Sequence, residues 1–87
     1  MKVHILTVFE VVEGETIIPT LMRVAPFYDL DLAQAELKKE YDSCKESLDD
    51  DIVEDKYTTS PTGEDRWVLT NECGLTYVAE ISTATVD

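Results

Sequence analysis

Few side chains in this sequence are of a type that could carry out nucleophilic chemistry. His4 is the only imidazole, and Cys44 and Cys73 are the only thiols. Nucleophilic catalysis needs a serine or cysteine beside a base. However, His4 falls at the start of a predicted strand, and Cys44 lies on the apolar side of a predicted helix, where a cysteine packs as a small apolar residue. The spacing also matches no zinc motif. We therefore expect neither an enzyme nor a zinc site.

Carboxylates are abundant in the chain. Its 87 residues include nineteen Asp and Glu against seven Lys and Arg, which gives a formal net charge of −12. Acid–base catalysis needs two carboxylates in different environments inside a cleft, and a domain of this size has little room for one. The acidic run 49–55 could gather a hard cation, but it lacks the alternating ligands, central glycine and distal glutamate of a calcium loop. The sequence thus predicts no catalytic residue, no metal and no cofactor.

The negative charge restricts the classes of partner. Direct binding to nucleic acid or to an anionic membrane requires Lys and Arg to neutralise phosphates, so we expect neither. No apolar run reaches the length of a membrane span, and Met1-Lys2 leads directly into a strand pattern rather than a signal peptide. We expect a cytoplasmic protein with reduced cysteines, whose partner is a basic surface of another protein.

One helix is predicted, over about 31–48. Its apolar positions recur at spacings of three and four and form a single stripe. The stripe consists of Leu30, Ala33, Leu37, Tyr41, Cys44 and Leu48. Asp31 fits the N-cap position, and Gln34, three residues later, fits the second position of a capping box.

Four strands are predicted, over about 2–12, 16–24, 66–70 and 75–82. The first is apolar on both faces, which places it centrally, whereas Pro19 places the second at an edge. The sequence between the helix and the third strand, 49–65, reads as an exposed acidic loop. We therefore predict one α+β domain over 1–87, with ββαββ order. Its four-stranded antiparallel sheet has the strand order 2-1-4-3 and is covered on one face by the helix.

The candidate partner site is the acidic surface of the helix and the loop that follows. Between positions 29 and 56 there are eleven acidic and four basic residues, a local net charge of −7. Acidic residues at a helix C-terminus oppose the macrodipole, so their placement there suggests a use other than stability. Carboxylates on neighbouring helical turns lie about 5–6 Å apart, close to the spacing of phosphates along a nucleic-acid strand. The candidate partner-binding residues are Asp42, Glu46, Asp49, Asp50, Asp51, Glu54 and Asp55.

The pattern of the chain also resembles a group of known proteins. A strand, a glycine turn and a second strand are followed by DLDLAQAELKKEYDSCKESLDDD and then by DRWVLTNECGLTYVAEI. This pattern, with its charge, resembles small acidic accessory proteins of bacteriophages and bacterial mobile elements, many of which are ββαββ or similar domains. Some of them resemble nucleic-acid mimics that block host defence enzymes. The resemblance covers most of the chain but no specific motif, and it assigns no functional residue.

Two functions remain open from the sequence. The first is a non-catalytic inhibitor or adaptor that docks its acidic helix-loop surface on a nucleic-acid-binding or defence protein. The second is a structural or interaction module that associates with itself, for example as a homodimer, through the open face of the sheet. One helix covers only one face, yet the first strand is apolar on both, and a leftover apolar face indicates an interface. Salt distinguishes the two, because only the electrostatic partner is lost as ionic strength rises.

Overall fold

A computed structural model describes residues 1–12, 19–48, 51–59 and 65–86. These residues form one α-helix and five strands. The elements are β1 (Lys2–Val12), β2 (Thr20–Phe27), α1 (Leu30–Leu48), β3 (Ile52–Thr58), β4 (Arg66–Asn71) and β5 (Leu75–Thr85).

The strands make one antiparallel sheet in the order β2-β1-β5-β4-β3. The α+β class, with one helix and an antiparallel sheet, is confirmed, and the predicted neighbours of the other four strands are correct. The prediction of four strands is wrong, because β3 adds a fifth at the edge beside β4. Residues 52–58, predicted as part of the acidic loop 49–65, form this strand. Residues 49–50 and 60–64 lie outside the described part of the chain.

A β-bulge explains why β3 is hard to read from the sequence. Ile52 lies opposite Asn71 and Glu54 lies opposite Thr70, so Val53 is an extra residue on the bulged strand. Ile52 and Tyr57 are five positions apart, yet both pack against the core. A regular strand would turn them to opposite faces, so the alternation that identifies a half-buried strand is lost.

The edge strand β2 runs further than predicted. Residues 16–18 are not described, and β2 extends from Thr20 through Ala25 and Pro26 to Phe27 rather than ending before them. Pro26 lies opposite Ile5 of β1. β2 has a neighbour on one side only, so a proline, which has no N–H, is tolerated there. A second bulge lies in the β1–β2 ladder, where Met22 is the extra residue between Arg23, opposite Val8, and Leu21, opposite Phe9.

The helix begins at Leu30, and its N-cap is Asp29 rather than the predicted Asp31. Oδ1 of Asp29 accepts the backbone N–H of Asp31 at 2.9 Å. Because the N-cap lies two residues earlier than predicted, Asp31 lies in the first turn and its own N–H needs an acceptor. Gln34 does not close a capping box; its Nε2 donates to Asp65 at 3.0 Å.

The core lies between the helix and one face of the sheet, and the predicted helical stripe is confirmed. Three of its residues, Ala33, Leu37 and Leu48, are buried, and the other three pack against the same core. Trp67 of β4 is fully buried, and its Nε1 donates to the carbonyl of Leu37 at 2.9 Å. The buried apolar residues are Leu6, Val8, Ala33, Leu37, Leu48, Trp67, Leu69, Ala79 and Ile81.

The hairpin between β4 and β5 turns at Gly74. Gly74 takes a positive φ of 84°. The Oδ1 atom of Asn71 accepts the backbone N–H groups of Cys73 at 3.0 Å and Leu75 at 2.9 Å. A glycine at the left-handed position together with an Asn side chain that bonds the backbone two residues on is a common turn chemistry.

Candidate docking surfaces

The described members of the predicted acidic site do not form one continuous surface. Asp42 is paired within the helix with Lys38, whose Nζ lies 2.9 Å from the carboxylate. Glu54 lies in β3 opposite Thr70, which places its side chain on the sheet face away from the helix. Lys56, on that same face, lies 3.3 Å from Glu54. Asp49 and Asp50 lie outside the described residues.

Asp55, also a predicted partner-binding residue, is engaged by the helix. The Tyr41 hydroxyl lies 2.7 and 2.8 Å from the two carboxylate oxygens and donates to this group, and Nζ of Lys45 donates to Oδ2 at 2.9 Å. The bond from Tyr41, and then the Lys45 ammonium, lower the pKa of Asp55 below its ordinary value of 3.8. The same carboxylate raises the pKa of Lys45. Asp55 therefore fastens β3 to the helix.

The other edge strand is held to the helix by a second charged contact. Arg23 of β2 lies between two carboxylates one helical turn apart, with Nη1 3.3 Å from Glu36 and also bonded to Glu40. These contacts raise the pKa of Arg23, the bond to Glu40 being the largest cause. Sequence reasoning missed this contact, although Arg23 is the only Lys or Arg between Lys2 and Lys38. The helix thus packs its apolar stripe on the sheet and is joined to each edge strand by ion pairs between side chains.

Three exposed carboxylates remain at the C-terminal end of the helix, and we call this group the acidic end: Glu46, Asp51 and Glu72. Glu72 joins it through the hairpin, since its backbone N–H donates to the carbonyl of Asp51 at 2.9 Å. Among the described residues, none of the three has an ion-pair partner. Lys45, the basic residue of the last helical turn, is turned to Asp55 instead. The sequence identified the first two members, whereas Glu72 is brought there by the β4–β5 hairpin.

The buried polar groups have structural partners. His4 is 8% exposed, and its Nδ1 lies 2.9 Å from Oγ1 of Thr83. Asp65 is 1% exposed; its carboxylate accepts from Gln34, and its backbone carbonyl accepts from Ile81 at 3.0 Å. Cys44 and Cys73 are free, and burial raises the pKa of the Cys44 thiol. Within the described part of the chain, no three His, Cys, Asp or Glu side chains are grouped to hold a metal ion.

The sheet face away from the helix, here called the open face, carries an apolar row. Val68, Val78, Phe9 and Leu21 lie directly opposite one another across β4, β5, β1 and β2. Residues directly opposite in neighbouring strands point to the same face, so these four side chains form a line across the sheet. Next to this row, Phe9, Val11, Pro19, Arg66, Val78 and Glu80 line a shallow recess of about 250 Å³.

The open face is electrically balanced, unlike the rest of the chain. By strand register its charged residues, among those described, are Glu54, Lys56, Arg66 and Glu80, two of each sign. The net charge of −12 therefore arises elsewhere, from the helix side, the ends of the molecule and the residues outside the described ranges.

No helix in the described ranges is both long and apolar enough to cross a membrane. Comparison of the chain with protein-family models, with curated proteins and with solved structures finds no match.

Proposed function

We propose that this protein is a non-catalytic inhibitor or adaptor that docks its acidic end on a basic surface of another protein. The observation that carries the proposal is that the negative charges of Glu46, Asp51 and Glu72 are not compensated by a nearby positive charge in the described part of the chain. Glu46 lies in the last turns of the helix and Asp51 just beyond its end, where a carboxylate opposes the macrodipole, and Glu72 lies beside Asp51 in the β4–β5 hairpin. All three are exposed, and none has an ion-pair partner among the described residues. A basic protein surface would supply the missing positive charge.

A basic surface suits a partner that itself binds nucleic acid, because such proteins present Lys and Arg to phosphates. Nucleic-acid mimicry is the narrower form of the proposal, in which the acidic end and a nucleic acid compete for one site. Lys38 and Lys45 interrupt the carboxylates along the helix. The acidic end, rather than the length of the helix, would then occupy that site. This mode of action fits the resemblance to accessory proteins of bacteriophages and mobile elements, and we expect the protein to act in the cytoplasm with its partner.

The test begins with a partner captured from a bacterial lysate on the immobilised protein and eluted with salt. The variant Glu46→Gln/Glu72→Gln removes two negative charges from the acidic end. The matched control Leu32→Lys/Ala35→Lys changes the net charge by the same amount at exposed positions in the first half of the helix. We expect the first variant to bind the partner about tenfold more weakly, or about 1.4 kcal/mol, while the control binds like the wild type.

Equal losses in the two variants would refute the acidic end as the docking site, because they would show that only net charge matters. Thermal melts of both variants exclude unfolding as the cause. A partner of the proposed class is released by added nucleic acid if mimicry is correct. It is retained if the partner uses a different basic surface.

A further inference from the structure

We propose that the open face is the contact surface between two copies of this chain, which pack sheet on sheet with their helices outward. This proposal goes beyond the docking of the acidic end and uses the opposite side of the sheet. The two interactions respond to salt in opposite directions, so the failure of one leaves the other testable.

The apolar row gives the contact its shape. Leu21 is 52% exposed and Val24 is 53% exposed. Because Met22 is the extra residue of the bulge, these two side chains are neighbours on the same face of β2. With Phe9, Val78 and Val68 they make a contiguous apolar band on a face that α1 does not cover. A contiguous apolar surface of this kind marks an interaction site rather than scattered surface residues.

Charge selects a second copy as the occupant. Two copies that met through their helix sides would bring together the surfaces that hold most of the carboxylates of the described residues. The open face has no net charge among the described residues, so it is the surface on which two chains of −12 meet with least repulsion. At about 10 Å per layer, the two helices would lie about 30 Å apart, well beyond the screening length of about 8 Å at physiological salt.

The size and symmetry of the face fit the same occupant. Five strands spaced about 4.8 Å apart are about 24 Å wide, and eight residues at about 3.3 Å each are about 26 Å long. The face thus approaches the roughly 800 Å² that each partner buries in a stable interface. A straight row of apolar side chains can also pack on its own copy about a twofold axis, since both partners present the same patch. The product is a β-sandwich between two helical layers.

The test is the oligomeric state by sedimentation equilibrium at several concentrations and salt levels. We expect a dimer whose dissociation constant falls as salt rises, because salt screens the repulsion between the two acidic chains. Val78→Lys, in the centre of the row, should weaken dimerisation at least tenfold. The control Leu32→Lys adds the same charge at a helix position that is 59% exposed, and it should leave the dimer intact.

Leu21→Lys provides a second variant at an exposed position, in case Val78→Lys does not fold. A monomer at high micromolar concentration in high salt would overturn the proposal, and would leave a different protein as the occupant of the open face. A dimer weakened by Leu21→Lys but not by a folded Val78→Lys would also overturn it, because that result indicates pairing along the edge of β2. Equal weakening by Leu32→Lys would overturn the proposal as well, because association would then not depend on the open face.

Discussion

Tyr41 is the side chain through which the helix contacts the edge strand β3. Its ring is edge-on to Tyr57 at 4.8 Å and to Trp67 at 5.8 Å between centroids, and its hydroxyl binds Asp55. The ammonium groups of Lys38 and Lys45 lie 5.2 and 5.3 Å from the ring centroid. One aromatic residue therefore joins the core, the edge strand and two cations.

The hydrogen bond between Tyr41 and Asp55 makes stability depend on pH. The pKa of Asp55 is lower in the folded protein than its ordinary value of 3.8, so the folded state binds this proton more weakly than the unfolded chain. Its contribution is therefore present above that value and is lost as pH falls through the folded-state pKa. We expect the stability difference between wild type and Asp55→Asn to be largest near neutral pH and to shrink on acidification below about pH 4.

Urea unfolding of wild type, Tyr41→Phe, Asp55→Asn and the double variant, measured at neutral and acidic pH, checks this expectation. We expect a coupling of about 0.5–1.5 kcal/mol between the two positions at neutral pH, the usual contribution of one hydrogen bond. A coupling that is unchanged at acidic pH would contradict the assignment of the charged carboxylate as the acceptor.

Spacing alone predicted the buried side of the helix but not the role of Asp55. The stripe residues, such as Leu37, follow from the helical period, which depends only on local sequence. Asp55 was predicted to bind a partner, whereas the structure engages it with Tyr41 and Lys45. That contact depends on β3 lying beside the helix, which no local pattern reports.

Among the strands, the bulge at Val53 explains why the sequence predicts β4 and β5 but not β3. β4 and β5 alternate regularly, so their inward residues, such as Trp67 and Ala79, were predictable. In β3 the extra residue breaks the period of two, and the many charged side chains then suggest a loop. The sequence pattern therefore identifies β4 and β5 from their alternation but misses β3.

Deletion of Val53 should be tolerated. The ladder opposite Asn71 and Thr70 then becomes regular, while Ile52 and Tyr57 remain on one face of the sheet. Deletion of Lys56 is the matched control, because it turns Tyr57 away from the core relative to the rest of β3. We expect the free energy of unfolding to change by less than about 1 kcal/mol in the first variant and to fall by about 2–4 kcal/mol in the second.

Chemical denaturation of the two deletion variants measures this difference. Equal losses would show that β3 tolerates no change in length, and that the bulge does not account for the shared face of Ile52 and Tyr57.

For the whole molecule, the two sides of the sheet differ in charge. The helix side carries exposed carboxylates such as Glu46, whereas the open face balances its charges among the described residues. The net charge was evident from the sequence. Its distribution was not, because the face of each residue depends on strand register and on the two bulges.

Self-repulsion of the acidic chain should make salt stabilising. A net charge of −12 opposes the compact state, and screening reduces this opposition more than it weakens exposed ion pairs, which contribute little. If screening restores about 1 kcal/mol, the melting temperature should rise by about 4–8 °C between low and physiological salt. Thermal melts at low protein concentration, where association does not contribute, measure this; a fall with salt would show that the ion pairs dominate.

The irregular edge strands should prevent this protein from forming fibrils. β2 contains Pro26 and the extra residue Met22, and β3 contains the extra residue Val53. A proline and a bulge each interrupt the row of backbone groups onto which another chain would add. The addition of further strands is therefore blocked at both edges of the sheet. As the protein concentration rises, we expect more oligomers of one fixed size rather than longer fibrils.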